Sequence, residues 1–272
     1  MENKMKFALV NGDRVEATKE AKGLCPGCGS ELTARCGEVK INHWAHKGNR
    51  KCDPWWENET DWHRSWKDKF PIEWQEKTCS GENGELHFAD VETDSGWVLE
   101  FQHSYLNPEK RRARNAFYRK LVWVVDGTRR KTDRSQFEKA IEDSTVICEK
   151  PLVRRVYYPE ECKLLKEWDN SSSLIFFDFQ EANSTKQIML WFLYPKISTS
   201  ETFISPFPRS YFIKIFNENK FDELVKNTII PNREILEKTI QAQLENSLYH
   251  RPNILSGFQK HMAHERRRPR RL

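Results

Sequence analysis

The stretch HFADVETDSGWVLEFQHS, residues 87–104, constrains the fold of this chain more than any other. Two apolar-alternating runs lie close together, one ending on Asp90 and the other carrying Glu100 and Gln102. Strand side chains alternate with period 2, so Glu100 and Gln102 share one face while Leu99 and Phe101 take the other. A hairpin-like return brings Asp90 beside Glu100. Paired carboxylates of this kind make a hard-oxygen site suited to Mg²⁺ or Mn²⁺. Such an ion activates water and stabilises charge on a phosphate during hydrolysis. An acid at a strand end followed by an acid in the next strand is also an ordinary solvated face, so the neighbouring segments have to decide.

Upstream, ENETDWHRSWK spans residues 57–67. Glu59, His63 and Lys67 recur at intervals of four, which on a helix forms one polar stripe. Trp62 and Trp66 form a second stripe that presses the helix onto a core. An acid, an imidazole and an amine in line, just ahead of two acid-bearing strands, supply the parts of metal-assisted phosphodiester cleavage. Glu59 is placed to hold the metal or its water, and His63 or Lys67 to stabilise charge on the phosphate.

Nearer the N-terminus, CPGCG sets Cys25 and Cys28 in a knuckle, followed by His43 and His46 in HWAH and then Cys52. This pattern fits a tetrahedral structural zinc. The favoured ligands are Cys25, Cys28, His46 and Cys52, with His43 the alternative and Cys36 a further candidate. A redox pair or buried thiols would leave the clustered histidines without a role. The segment is too short to build a large core of its own, so zinc is expected to contribute folding free energy. Lys40, Lys47, Arg50 and Lys51 provide a basic surface beside it.

The run CPGCG, HWAHK, CDPWWENETDWHRSWK, ADV, EFQHS and WVVDG resembles the CoiA-like competence proteins over about residues 20 to 130. That resemblance implies a PD-(D/E)XK, or restriction-endonuclease-like, nuclease with a Cys/His-containing N-terminal region. It places Glu59, Asp90 and Glu100 at the carboxylate positions and Gln102 where the motif has lysine. Glutamine supplies no positive charge, so His63 and Lys67 are the candidates for that role. The activity implied is metal-dependent cleavage of DNA, in DNA processing during competence or in defence. Fold alone does not dictate substrate. A DNA-binding accessory module with little chemistry, and a zinc-dependent scaffold for protein partners, are the competing readings.

The order strand, strand, helix, strand is the one an α/β core of that type requires. The helix is read over 109–121, introduced by Asn107-Pro108, with Ala113, Phe117 and Leu121 facing inward. Arg111, Arg112, Arg114, Arg119 and Lys120 then stand outward for DNA phosphates. A buried strand follows at 121–127 and another helix at 134–143.

The domains expected are an N-terminal hairpin and zinc region (1–55), a nuclease-like core (56–150), an α+β C-terminal domain that could recruit a protein partner (151–260), and a basic tail (261–272). In the third, SLIFFDFQ, QIMLWFLY and SYFIKIF read as strands, with ISPFPR a turn between the last two. Helices follow from Phe221 and from Asn232. The tail HMAHERRRPRRL carries five arginines and suits sequence-independent contact with DNA. A net charge of only +5 makes this distribution, rather than the total, the argument for a polyanionic partner. No apolar run approaches the ~18 residues of a membrane span. Seven cysteines without an N-terminal apolar signal segment point to a reducing, cytoplasmic setting.

Overall fold

In the computed structural model, residues 4–38, 41–47, 52–55, 59–81, 83–180, 187–198 and 200–249 are described. The chain divides into two compact units, Met1–Val225 and Lys226–Leu272. The first is mixed α/β and holds two sheets.

The N-terminal sheet comprises β1 (Phe7–Val10), β2 (Asp13–Glu16), β3 (Lys22–Leu24), β4 (Glu31–Arg35) and β5 (His43–His46), in the order β2-β1-β3-β4-β5. Asn11 and Gly12 turn the first hairpin at φ of 53° and 93°, the left-handed backbone that an Asn-Gly turn supplies. Met5, Ala8, Ala17, Cys25, Leu32 and Trp44 form a small core here. The segment therefore owns more apolar packing than its length suggested.

The second sheet has nine strands in the order β10-β11-β14-β13-β12-β9-β8-β7-β6. It is entered through α1 (Asp61–Lys67), whose N-terminus is capped by Thr60 Oγ1 accepting the His63 N–H at 3.3 Å. The elements that follow are β6 (Gln75–Ser80), β7 (Leu86–Glu92), β8 (Val98–Gln102), α2 (Pro108–Phe117), β9 (Leu121–Asp126) and α3 (Asp133–Glu142). β7 and β8 are antiparallel, whereas β8 and β9 are parallel and joined through α2. Beyond them come β10 (Thr145–Glu149), β11 (Leu152–Val156), α4 (Lys163–Trp168), β12 (Leu174–Asp178), β13 (Met189–Leu193), β14 (Thr202–Pro208), α5 (Arg209–Asn217) and α6 (Phe221–Leu224). In the second unit α7 runs from Ile230 to Tyr249.

Alternation along the strands sorts the core into two layers. Trp123, Val125, Ile175 and Phe177 face one side with Phe137 of α3 and Leu164, Leu165 and Trp168 of α4. On the other side Trp66 stacks on Phe101 at 5.5 Å between ring centroids and meets Phe212 edge-on at 5.9 Å. The indole N–H groups of Trp62 and Trp66 both donate to Asp178 Oδ2, at 3.1 and 2.8 Å, so the tryptophan stripe of α1 is anchored as well as packed.

Several expectations need correction. The strands placed in a separate domain beyond residue 150 belong to the same sheet, β12 pairing in parallel with β9; long-range pairing crosses a boundary that composition suggested. SYFIKIF is helical, within α5, because Phe212, Ile215 and Phe216 recur at the helical period and are buried together. The proline-marked ISPFP is instead part of β14, which pairs with β13 up to Pro208 but with β11 only over Thr202–Ile204. Pro206 and Pro208 thus occupy the stretch that lacks a second neighbour, where a missing N–H costs no ladder bond.

α2 is also shorter than 109–121. It ends at Phe117 and Tyr118 turns to extended backbone, so Leu121 opens β9 and Ala113 is exposed. The residues α2 buries are Arg111 and Arg114. The basic tail, Lys40, Arg50 and Lys51 lie outside the described residues. No helix among the described residues is long and apolar enough to cross a membrane.

Candidate functional site

Two groups of side chains carry chemistry. The first lies at the edge of the N-terminal sheet, where the knuckle after β3 meets the end of β5. Cys25, Cys28, His46 and Cys52 offer ligand atoms that all lie within 4.8 Å of one another. Cys25 Sγ is 3.6 Å from Cys52 Sγ, and Cys28 Sγ is 3.4 Å from His46 Nε2. A tetrahedron with Zn–S bonds of about 2.3 Å has edges of about 3.8 Å, close to these separations, so the four residues fit a structural metal such as zinc. The Cys52 side chain brings the Cys25 thiol down, while the same contact and burial push the Cys52 thiol up, as for two thiols sharing one proton; a metal needs both as thiolates and would displace that proton.

The sequence alternatives separate cleanly. His43 gives Nδ1 to the Ile41 carbonyl at 2.9 Å, and Cys36 lies against the Ala17 carbonyl. Neither belongs to the cluster. Gly27 lets the knuckle approach β7, since a Cβ there would stand 2.6 Å from the Phe88 ring.

The second group lines a small cavity bounded by α1, β6, β7, β8 and α2, and includes Glu59, His63, Lys67, Asp90, Glu100 and Gln102. β7 and β8 pair with Val91 opposite Leu99, so the next step of that register sets Asp90 level with Glu100. At this point a side chain takes over the ladder: Asp90 Oδ2 accepts the Phe101 N–H at 2.9 Å. Its other oxygen meets His63 Nε2 at 2.8 Å. Burial alone would raise the Asp90 carboxyl, but His63, Lys67 and the Phe101 N–H hold it below its ordinary value.

Lys67 is almost wholly buried between two acids, with Nζ 2.5 Å from Glu59 Oε1 and 2.7 Å from Glu76 Oε1. Burial opposes its charge, yet Glu76, Glu59 and Asp90 together raise its pKa. The Glu59 carboxyl is likewise opposed by burial and held down to about 2 by Lys67 and Arg64. Glu100 Oε2 accepts from Arg114 Nη1 at 3.0 Å. Gln102 Nε2 donates to the carbonyl and hydroxyl of Ser104, both at 3.1 Å.

All six expected residues therefore meet in one cavity, but not as a ready three-carboxylate cluster. Glu59 turns to Lys67 and Arg64, Asp90 to His63, and Glu100 to Arg114. Among the described residues the Cys/His set is the one group of three or more such ligands within reach of a common ion. The arginines divide differently from the expected phosphate-facing row. Arg111 and Arg114 point inward, Arg112 and Arg119 are exposed, and Lys120 pairs with Asp222 at 2.9 Å.

Sequence reasoning missed Glu76, Arg64 and Tyr118. Glu76 adopts φ of 45° inside a strand, a strained conformation for a residue with a Cβ, and no local pattern announces it. Tyr118 lines the cavity. Its buried hydroxyl has no hydrogen-bond partner among the described residues, and burial together with Glu100 pushes its pKa upward.

Residues 10–54 match the family model for the competence protein CoiA, N-terminal domain. No curated protein and no solved structure matches the chain. The matched segment, less than a fifth of the chain, contains all four clustered metal ligands, Cys25, Cys28, His46 and Cys52, so the N-terminal region is similar to the CoiA N-terminal domain.

Proposed function

We propose that this chain is a Mg²⁺- or Mn²⁺-dependent deoxyribonuclease of the PD-(D/E)XK type. The observation that carries the proposal is the meeting of Asp90, Glu100 and Gln102, from two adjacent strands, with Lys67 in one buried cavity. Asp90 and Glu100 would hold the metal, with the Gln102 carbonyl oxygen a neutral third donor; hard oxygens of this kind suit these ions. When bound, the ion supplies an activated water and a positive charge opposite the scissile phosphate.

The remaining groups act around it. Lys67, kept charged by its two carboxylates, supplies the cation that Gln102 does not, and stabilises developing negative charge. His63, oriented by Asp90, is placed to move a proton. The Tyr118 hydroxyl is available to donate to a bound water or phosphate oxygen. Glu59 serves this reading through Lys67 rather than as a metal ligand. The Cys/His cluster is structural.

A second reading is a DNA-binding accessory protein without efficient chemistry. It is favoured by the Arg114–Glu100 ion pair and by a glutamine at the lysine position. The deciding experiment uses end-labelled single- and double-stranded DNA with Mg²⁺, Mn²⁺ or EDTA. Metal-dependent cutting that is lost in folded Asp90→Ala and Glu100→Ala variants is expected. Full activity in both variants would remove this site, and DNA binding without cutting by the wild type would leave the accessory reading.

A further inference from the structure

A second concavity, of about 490 Å³, lies between α2 and α4. Its charge is one-sided. Arg112, Lys163 and Lys166 are exposed along it, and Arg111 forms its floor, with its guanidinium 4.9 Å from the Trp168 ring centroid. The acid present, Glu167, is already held by Arg129 and Arg130, so it does not cancel the field. Tyr105 also lines it and is 64% exposed, which leaves its ring face open to a stacking partner.

We propose that this groove binds a single strand of nucleic acid, with phosphates against Arg112, Lys163 and Lys166 and a base stacked on Tyr105. A cationic track beside an exposed aromatic ring is the arrangement that single-strand binding uses, because every base offers a face to stack while duplex bases do not. The location gives the groove a purpose. Tyr105 is three residues beyond Gln102, at most about 11 Å of chain, so a strand lying there is led toward the cavity of Asp90 and Glu100. The inference rests on reading that cavity as acting on nucleic acid. It also assigns roles to Tyr105, Lys163 and Lys166, two of which come from a helix outside the expected nuclease core.

The test is fluorescence anisotropy with a labelled 20-mer of thymidylate, and a 20-base-pair duplex for comparison. The full chain carries Asp90→Ala/Glu100→Ala so that binding is read without cleavage. Lys163→Glu/Lys166→Glu is expected to weaken single-strand binding at least tenfold. Lys163→Gln/Lys166→Gln should lower the salt slope by about 1.4, two contacts at ~0.7 each. Tyr105→Ala should weaken the single strand by about 5- to 150-fold and leave the duplex unchanged. Unchanged single-strand affinity in folded variants overturns the groove, and equal losses for duplex and single strand under Tyr105→Ala overturn the choice of partner. A wild type that cuts DNA while the groove variants bind normally would sink the groove and spare the nuclease. Groove-dependent binding by a wild type that cuts nothing would do the reverse.

Discussion

Glu76 Oε1 accepts a hydrogen bond from Lys67 Nζ at 2.7 Å, and the same carboxylate takes the backbone N–H groups of Lys6 and Phe7. One buried acid therefore joins the first strand of the N-terminal sheet to the helix that lines the candidate site. The contact explains why Glu76 is held at a positive φ: the surrounding donors over-determine its position and offset the strain. It also makes the geometry of Lys67 depend on the docking of a segment far away in sequence.

Glu76→Ala should thus cost more than an ordinary strand substitution. It leaves Lys67 with one carboxylate and two backbone donors without an acceptor. Removing one partner of a buried ion pair typically costs about 3–5 kcal/mol. Urea denaturation of wild type, Glu76→Ala and Glu76→Gln checks this, with the glutamine, which keeps one acceptor oxygen, falling between the other two.

Acid should weaken the fold through the same cluster. The Glu59 carboxyl is lowered from 4.5 to about 2 in the folded chain, so its stabilisation is complete above about pH 4.5 and is lost as pH falls toward 2. A shift of that size corresponds to about 3 kcal/mol. Asp90 is lowered too and adds loss in the same direction. Thermal unfolding between pH 7 and pH 2 should show a steeper decline for wild type than for Glu59→Gln; identical slopes would assign the acid sensitivity elsewhere.

Purified protein is expected to carry one zinc per chain. Cys25→Ser, Cys28→Ser, His46→Ala and Cys52→Ser should each reduce the metal content sharply. His43→Ala and Cys36→Ser should retain it, since both side chains are turned to backbone carbonyls. Metal analysis after gel filtration decides this, and a zinc-free but folded wild type would discard the site.

Gly27→Ala tests the packing of the knuckle on the main sheet. The added methyl would sit 2.6 Å from the Phe88 ring, and such overpacking costs about 1–3 kcal/mol. Gly37→Ala, which meets nothing within 4 Å, is the control. Phe88→Leu in the Gly27→Ala background should restore part of the loss in a thermal melt.

The elements legible in the sequence were those whose signals are local. Asn11-Gly12 marked a hairpin because few residues tolerate its backbone angles. Trp62 and Trp66 marked a buried helix face through their spacing, and CPGCG with HWAH marked a metal site through ligand chemistry. Where two periodicities overlap in a short apolar run, as in SYFIKIF, the local signal misled. Packing of Phe212 and Phe216 against Phe176 and Phe221, with Ile215 buried on the same helix, decided for helix.

The sequence by itself determined the residue types that the candidate site contains and pointed to the favoured four metal ligands, while His43 and Cys36 were set aside only by the structure. Only the tertiary structure decided which charges neutralise one another. Arg114 reads as a surface cation along α2, yet it turns inward because Glu100 on β8 awaits it. Glu76 carries no motif, yet it holds Lys67 because β1 supplies two N–H groups at the same place. Ion pairing in a buried cavity depends on distances between segments tens of residues apart, and those distances exist only once both sheets are formed.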